Sequence, residues 1–210
     1  MGFEIGVEEL SLFVKACHKA AEYGLLRCSS GNMSWRVSQE HALLTVSRSW
    51  LGELREDQVA VCRITDGRCV NGRTPTVESV FHLGVLRSRP ELNVVLHFQS
   101  PWATAIACGR PEDYDFNVII ETPVYIGEPA IIEYLMPGSP ALAEAVIVAM
   151  QDHDMAILKN HGLVTVGRDF NDAIQKAAFF EMTCQILLCG RDIRPLPPEA
   201  LEPLRQAGKA

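Results

Sequence analysis

Residues 74–100 read "TPTVESVFHLGVLRSRPELNVVLHFQS" and contain the two elements that decide the fold. The first part predicts a helix, because Thr74 can cap its N-terminus, Pro75 suits the first helical position and Pro90 lies just beyond its end. The stretch "LNVVLHF" that follows is apolar on both faces, which is typical of a central strand. We therefore expect a strand deep inside a sheet, with helices packed on it.

Helices and strands are mixed irregularly along the rest of the chain. Helices are predicted over residues 7–26, from Pro140 through "ALAEAVIVAM", and over "DFNDAIQKAAFFEMTCQILLCG" with Asp169 as a cap. Strands are predicted in "NMSWRV", in "HALLTVS", in a hairpin that turns at residues 65–67, and on both sides of "NHG" at residues 160–162. Because these elements do not alternate strictly, we expect an α/β fold with a mixed central sheet covered by helices, not a doubly wound nucleotide fold.

Length, charge and cysteine content narrow the class of protein. With 210 residues, 48% of them hydrophobic, the chain predicts one domain over residues 1–190 and a loosely packed C-terminal tail over residues 191–210. No long apolar run or signal-peptide pattern occurs, so the cytoplasm is the expected compartment. The net charge of −7 argues against nucleic acid and anionic membranes as partners. The seven scattered cysteines predict reduced, mostly buried thiols.

A candidate metal site begins with His97 and Gln99, which should project together because residues two apart on a strand share a face. An amide oxygen is a poorer zinc ligand than imidazole, so a core histidine beside a polar strand end is the alternative. His161 could be a ligand or an ordinary turn histidine. Glu78 could act in chemistry or simply favour the dipole of its helix. Nothing in the spacing of His82, one helical turn after Glu78, singles it out as a ligand.

Three short stretches could bind an anion. "CSSGNMS" contains Asn32, "TVSRSW" contains Ser47 and Arg48, and Thr76 lies near a predicted helix N-terminus, where backbone N–H groups can hold a phosphate. Each stretch could equally be an ordinary loop. The chain has no Walker loop, no G-x-G-x-x-G after a strand and no G-x-S-x-G motif.

Taken in order, "SSGNMSWRV", residues 74–107 and "ILKNHGLVTVG" resemble the class II aldolase/adducin family, over roughly residues 8–190. The resemblance implies a class II aldolase-like three-layer fold and a divalent metal that acts as a Lewis acid, most often Zn²⁺, with Mn²⁺ or Co²⁺ as alternatives. His97, His161 and Glu78 match the family's metal ligands. Glu78 also matches its acid/base, a role for which we expect a raised pKa.

The chain departs from the family pattern at the metal site and at the phosphate site. Gln99 stands where a second strand histidine belongs; because both donors are neutral, we expect it to remain a ligand with an altered metal preference. Val77 replaces a serine used for phosphate, and residues 45–48 replace a Thr-Pro-Ser-Gly loop, which implies a reshaped pocket. The residues expected to hold the phosphate are Asn32, Ser47, Arg48 and Thr76.

The resemblance implies reversible retro-aldol cleavage of a small ketose phosphate. The expected substrate is L-fuculose 1-phosphate, split into dihydroxyacetone phosphate and L-lactaldehyde. A tyrosine of a neighbouring subunit, matching Tyr114 or Tyr125, would protonate the aldehyde half, and a homotetramer is expected. The alternatives are epimerisation of L-ribulose 5-phosphate, dehydration of a methylthioribulose phosphate, and a metal-free interaction protein of the adducin type.

Overall fold

The computed structural model describes residues 5–208 of the 210-residue chain. Its strands are β1 (Asn32–Arg36), β2 (His41–Thr45), β3 (Val59–Arg63), β4 (Val94–Phe98), β5 (Ala130–Ile132), β6 (Met155–Leu158) and β7 (Gly162–Gly167). Its helices are α1 (Val7–Glu22), α2 (Ser79–Ser88), α3 (Pro101–Ala107), α4 (Pro140–Ala149), α5 (Phe170–Cys189) and α6 (Pro198–Ala207). A π-helical turn spans Thr122–Ile126. No helix in residues 5–208 combines the length and the hydrophobicity needed to cross a membrane.

The seven strands form one mixed sheet in the order β3-β2-β1-β4-β7-β6-β5. Neighbouring strands are antiparallel except β5 and β6, which are parallel. The middle strand is β4, and all five of its residues are buried. This arrangement confirms both the predicted mixed sheet and the predicted central strand.

Helices cover both faces of the sheet and complete the predicted three layers. Side chains alternate along β4: Val94, Leu96 and Phe98 join the core formed with α1, α3 and α5, whereas Val95 joins the core formed with α2 and α4. His97 therefore points to the side of α2 and α4. The candidate site lies on that side, where β4 ends.

The start of α2 differs from the prediction, because Thr74 does not cap the helix. The chain before α2 is extended and pairs with the end of β2: the Ser47 N–H donates to the Thr74 carbonyl (3.2 Å) and the Thr76 N–H donates to the Thr45 carbonyl (3.0 Å). These bonds use backbone groups that an earlier helix would have needed. The helix begins at Ser79 instead, which places Glu78 at the N-cap position.

Several elements escaped the sequence analysis. The short helix α3 and the three-residue strand β5 lie in stretches where no element was predicted, and the helix α6 lies in the stretch predicted to be a loosely packed tail. The second strand of the predicted hairpin is reduced to a single bridge between Cys62 and Cys69, and α1 ends at Glu22 rather than at residue 26. All seven cysteines are free, but the prediction that most are buried is wrong. The buried ones are Cys17, Cys62 and Cys184.

Candidate functional site

Three of the four predicted metal ligands converge where β4, β7 and α2 meet. Glu78 lies at the start of α2, His97 near the end of β4, and His161 in the turn before β7. One potential ligand atom from each of the three lies within 4.8 Å of the other two. His97 Nε2 is 3.6 Å from Glu78 Oε2, and His161 Nε2 is 3.5 Å from Glu78 Oε1. Residues far apart in sequence thus form one compact cluster.

The backbone fixes the protonation of His97. Its Nδ1 lies 2.9 Å from the carbonyl oxygen of Leu163, which can only accept a hydrogen bond. Nδ1 must therefore carry the proton in the neutral ring, and Nε2 presents its lone pair toward Glu78. Metal-binding histidines in proteins commonly have this second contact, because it orients the ring.

Two atoms of the cluster are buried without a hydrogen-bond partner among the described residues, namely Glu78 Oε1 and His161 Nδ1. An unpaired buried acceptor is costly, by roughly 1–3 kcal/mol for a typical polar group. A divalent cation would satisfy a carboxylate oxygen and imidazole nitrogens, which are common zinc ligands. The residues present therefore fit a divalent metal ion.

The charges of the cluster suit metal binding, although not in the way the sequence analysis expected. Burial alone would raise the pKa of Glu78, but the His97 ring and the hydrogen bond from Asn32 outweigh it and hold the pKa below its usual value. The expectation of a raised pKa is therefore wrong for the metal-free protein. Burial, together with the nearby His97 ring, lowers the pKa of His161 to about 4. At neutral pH the cluster thus offers a carboxylate and a neutral imidazole.

Gln99 lies beside the cluster and lines the same cavity as Glu78, His97 and His161. The close approach depends on Gly162, since a Cβ there would lie 2.7 Å from Gln99 Cγ and 3.1 Å from His97 Cε1. Gln99 Cγ and the edge of the His97 ring thus both border the space that a side chain at position 162 would fill. The role of Gln99 as a fourth ligand stays a prediction.

A network of buried polar side chains stands behind Glu78. Asn32 Nδ2 donates to Glu78 Oε2 (2.8 Å), and Asn32 Oδ1 contacts Nε2 of His82. The other nitrogen of His82 lies 2.8 Å from the Ser34 hydroxyl. Sequence reasoning had no signal for this use of His82, because only the pairing of β1 with β4 brings Asn32 opposite His97. Asn32, which we expected to bind phosphate, holds the carboxylate here.

The predicted phosphate residues line the cavity that opens onto the cluster. The cavity has a volume of about 440 Å³. Ser47, Arg48 and Thr76 lie on its wall, together with Val77 and the two loop serines Ser29 and Ser30, which the sequence analysis did not single out. Arg48 adopts a left-handed backbone conformation with φ 63°.

Neither tyrosine considered for the aldehyde side lines this cavity. Tyr114 packs beside Phe116, with ring centroids 6.4 Å apart, and Tyr125 stacks on Phe179 at 5.4 Å. Within residues 5–208 of one chain, the acid for that half is therefore not supplied by a tyrosine in this cavity. The choice between the two tyrosines of a neighbouring subunit stays open.

Comparison with known proteins identifies the family. Residues 11–188 match the Class II Aldolase and Adducin N-terminal domain. The chain belongs to the class II aldolase/adducin family. This match covers most of the chain and confirms the resemblance found in the motifs.

Curated class II aldolase relatives fall into two groups by name. A 3-oxo-tetronate 4-phosphate decarboxylase of Haemophilus influenzae is 32% identical over 205 residues, which cover 94% of this chain and 96% of the relative. An L-fuculose phosphate aldolase of Methanococcus maripaludis is 32% identical over 180 residues, which cover 84% of this chain and 94% of the relative. The family therefore includes lyases of the aldolase and decarboxylase types.

Solved structures share the class II aldolase fold. YgbL of Klebsiella pneumoniae, described as a putative aldolase/epimerase/decarboxylase, superposes with a TM-score of 0.86 at 23% identity and covers 96% of this chain and 100% of its own. An L-fuculose 1-phosphate aldolase superposes with a TM-score of 0.85 at 22% identity and covers 98% of both chains. These likenesses confirm the fold.

Proposed function

We propose that this chain is a divalent-metal-dependent carbon–carbon lyase acting on a small phosphorylated hydroxyketone. The observation that carries the proposal is the convergence of Glu78, His97 and His161, with unpaired buried atoms, on a cavity that Arg48 also lines. A metal-free interaction protein would have no use for unpaired buried ligand atoms, because each lowers stability. Membership in a family that includes aldolases and decarboxylases supports the same reaction type.

His97, His161, Glu78 and Gln99 would hold the metal. Two imidazoles, a carboxylate and an amide oxygen form a mixed nitrogen and oxygen set, which suits Zn²⁺ first and also Mn²⁺ or Co²⁺. When bound, the metal supplies a Lewis acid that stabilises the negative charge left on a hydroxyketone when a neighbouring carbon–carbon bond breaks.

Glu78 would move the proton that the reaction requires. In cleavage, the bonding electron pair passes to the phosphorylated hydroxyketone half, and that half must then gain one proton at carbon. Glu78 Oε1 lies 3.5 Å from Nε2 of His161 and has no competing hydrogen bond within residues 5–208. Because its pKa is held low, Glu78 enters the reaction as a carboxylate, so it must take up a proton before it can deliver one.

The phosphate would bind on the part of the cavity wall that Arg48, Ser47 and Thr76 form. Arg48 supplies a positive charge there, and Ser47 and Thr76 supply hydroxyl groups on the same wall. An arginine can bind phosphate through two parallel hydrogen bonds, which would partly compensate for the valine at position 77, whose side chain has no hydroxyl group.

Two substrates fit this proposal, and both would give the same phosphorylated product. L-fuculose 1-phosphate would release L-lactaldehyde, whereas 3-oxo-tetronate 4-phosphate would release carbon dioxide, and each would leave dihydroxyacetone phosphate. The second substrate is favoured by the Haemophilus influenzae relative, which matches this chain over almost its full length. Loss of carbon dioxide would also need no tyrosine acid, in keeping with the absence of a tyrosine from the lining of this cavity.

The test is an assay for dihydroxyacetone phosphate by coupled NADH oxidation. Purified protein is given Zn²⁺, Mn²⁺ or Co²⁺ and then each substrate, and lactaldehyde and carbon dioxide are measured separately. We expect turnover that a chelator abolishes and that Glu78→Gln lowers by about 10²–10⁴-fold. No dihydroxyacetone phosphate from either substrate with any of the three metals would overturn the proposal.

We also propose a homotetramer in the cytoplasm, with the aldehyde-side acid supplied by a neighbouring subunit if the substrate is a ketose phosphate. Light scattering should then give about four times the chain mass of 23.2 kDa. A monomer in solution would remove the subunit-shared site from the proposal and leave the decarboxylation reading, which needs no such acid.

A further inference from the structure

Glu78 is joined to the helix that carries it by a buried line of polar groups on β1 and α2. Three side chains form this line, which we call the relay: Ser34, His82 and Asn32. Ser34 and His82 are fully buried, and Asn32 is 8% exposed. The hydrogen bond between Ser34 and His82 is therefore shielded from water, whereas Asn32 reaches the lining of the cavity.

The direction of each hydrogen bond in the relay follows, one after another, from the Glu78 carboxylate. The Glu78 carboxylate can only accept, so Asn32 must turn its NH₂ group toward Oε2. Asn32 Oδ1 then faces His82 and can only accept, so Nε2 of His82 must carry the ring proton. The remaining nitrogen, Nδ1, is an acceptor for the Ser34 hydroxyl at 2.8 Å.

The relay treats the two oxygens of Glu78 differently. Oε2 receives the amide of Asn32, whereas Oε1 has no partner and lies 3.5 Å from Nε2 of His161. A free carboxylate would rotate and exchange its two oxygens, so the bond to Oε2 also determines where Oε1 points. Since Asn32 is held by His82, the orientation of Glu78 depends on a residue one helical turn away.

We propose that His82 is a positioning residue for Glu78: with Ser34 on one side and Asn32 on the other, it locks the carboxylate with Oε1 presented to His161 and Oε2 beside His97. The role rests on the proposed function only in that Glu78 is the group that moves the proton. The His82 side chain makes no hydrogen bond to a candidate metal ligand and does not itself line the cavity. Its side chain reaches Glu78 through Asn32.

The first test is independent of activity. Nitrogen NMR of the histidine rings, in metal-free protein at pH 7, should show His82 protonated on Nε2 and unprotonated on Nδ1. In Ser34→Ala the Nδ1 nitrogen loses its donor, and its resonance should shift. A His82 ring protonated on Nδ1 would reverse the relay and overturn the proposal.

The second test compares His82→Phe, which breaks the relay, with His82→Gln, whose amide can still donate to Asn32. We expect His82→Phe to lower both Zn²⁺ affinity and kcat by about 10–100-fold, as outer partners of metal ligands commonly do, while KM changes by less than about threefold. His82→Gln should recover most of both losses. Leu83→Ala, a buried neighbour outside the relay, should lower stability without changing Zn²⁺ affinity.

The outcomes separate the relay from the proposed function. If the wild-type protein turns over neither substrate, the function fails, but Zn²⁺ affinity still tests the relay. Equal affinities in wild type and His82→Phe would overturn it. A loss of affinity in His82→Phe that His82→Gln does not recover would also overturn it, because the burial of an imidazole, not its hydrogen bond, would then be what matters.

Discussion

Lowering the pH from 7 to 5 should destabilise the metal-free fold by about 2 kcal/mol through His82 alone. His82 is fully buried, and burial lowers its pKa from 6.5 to about 3. In the unfolded chain the ring is exposed and has its ordinary pKa. The folded state therefore keeps this ring neutral at a pH where the unfolded state protonates it.

The sign and size follow from the two pKa values. Because the folded pKa is the lower one, the stability due to His82 is complete above pH 6.5 and is lost as the pH falls toward about 3. Between pH 6.5 and 5, His82 binds a proton in the unfolded state but not in the folded state. Each pH unit in this window removes about 1.4 kcal/mol, which gives about 2 kcal/mol at pH 5.

The assay is urea unfolding at pH 7, 6 and 5 with a chelator present, so that metal binding does not contribute. His82→Gln removes the titrating ring, and the other groups largely cancel in the difference. Wild type should lose about 2 kcal/mol more than His82→Gln between pH 7 and 5. Leu83→Ala, which removes no titratable group, is the control and should lose as much stability as wild type between pH 7 and 5. Parallel pH profiles for wild type and His82→Gln would refute the reasoning.

Three further predictions concern the site and the fold. Gly162→Ala should weaken Zn²⁺ binding by about tenfold or more, because its Cβ displaces Gln99 and His97; Gly109→Ala, whose Cβ meets only ordinary contacts, should not. Gln99→His should raise Zn²⁺ affinity by about tenfold, measured in competition with a chelator. Imidazole is the better zinc donor, so the gain of a nitrogen ligand outweighs the loss of an oxygen ligand. Asp169→Ala should lower the free energy of unfolding by about 1 kcal/mol, because the Asp169 side chain caps α5.

Each of these predictions can fail on its own. Unchanged Zn²⁺ affinity in Gly162→Ala would mean that the close approach beside His97 has no bearing on metal binding. Unchanged affinity in Gln99→His would mean that the side chain at this position does not reach the metal. An Asp169→Ala protein as stable as wild type would mean that the cap contributes nothing measurable to α5.

The sequence predicted the long elements because their side-chain patterns are strong. The burial of β4 on both faces, the start of α4 at Pro140 and the cap of α5 at Asp169 were all predicted correctly, because each depends on a few neighbouring residues. The start of α2 was misplaced. Thr74 and Pro75 form a good local helix signal, but their backbone pairs with the end of β2, and that partner is remote in sequence.

The sequence by itself determined the chemistry available: a histidine on the central strand, a histidine before a glycine turn and a glutamate near a helix start. Their order and spacing were enough to indicate the class II aldolase/adducin family. Only the tertiary structure decided how these groups act together. The pairing of β1 with β4 places Asn32 between Glu78 and His82. The His97 ring and the hydrogen bond from Asn32 keep the carboxylate ionised against the effect of burial, whereas burial keeps the His82 ring neutral. Such contacts join residues 46 and 50 positions apart, so no local pattern can encode them.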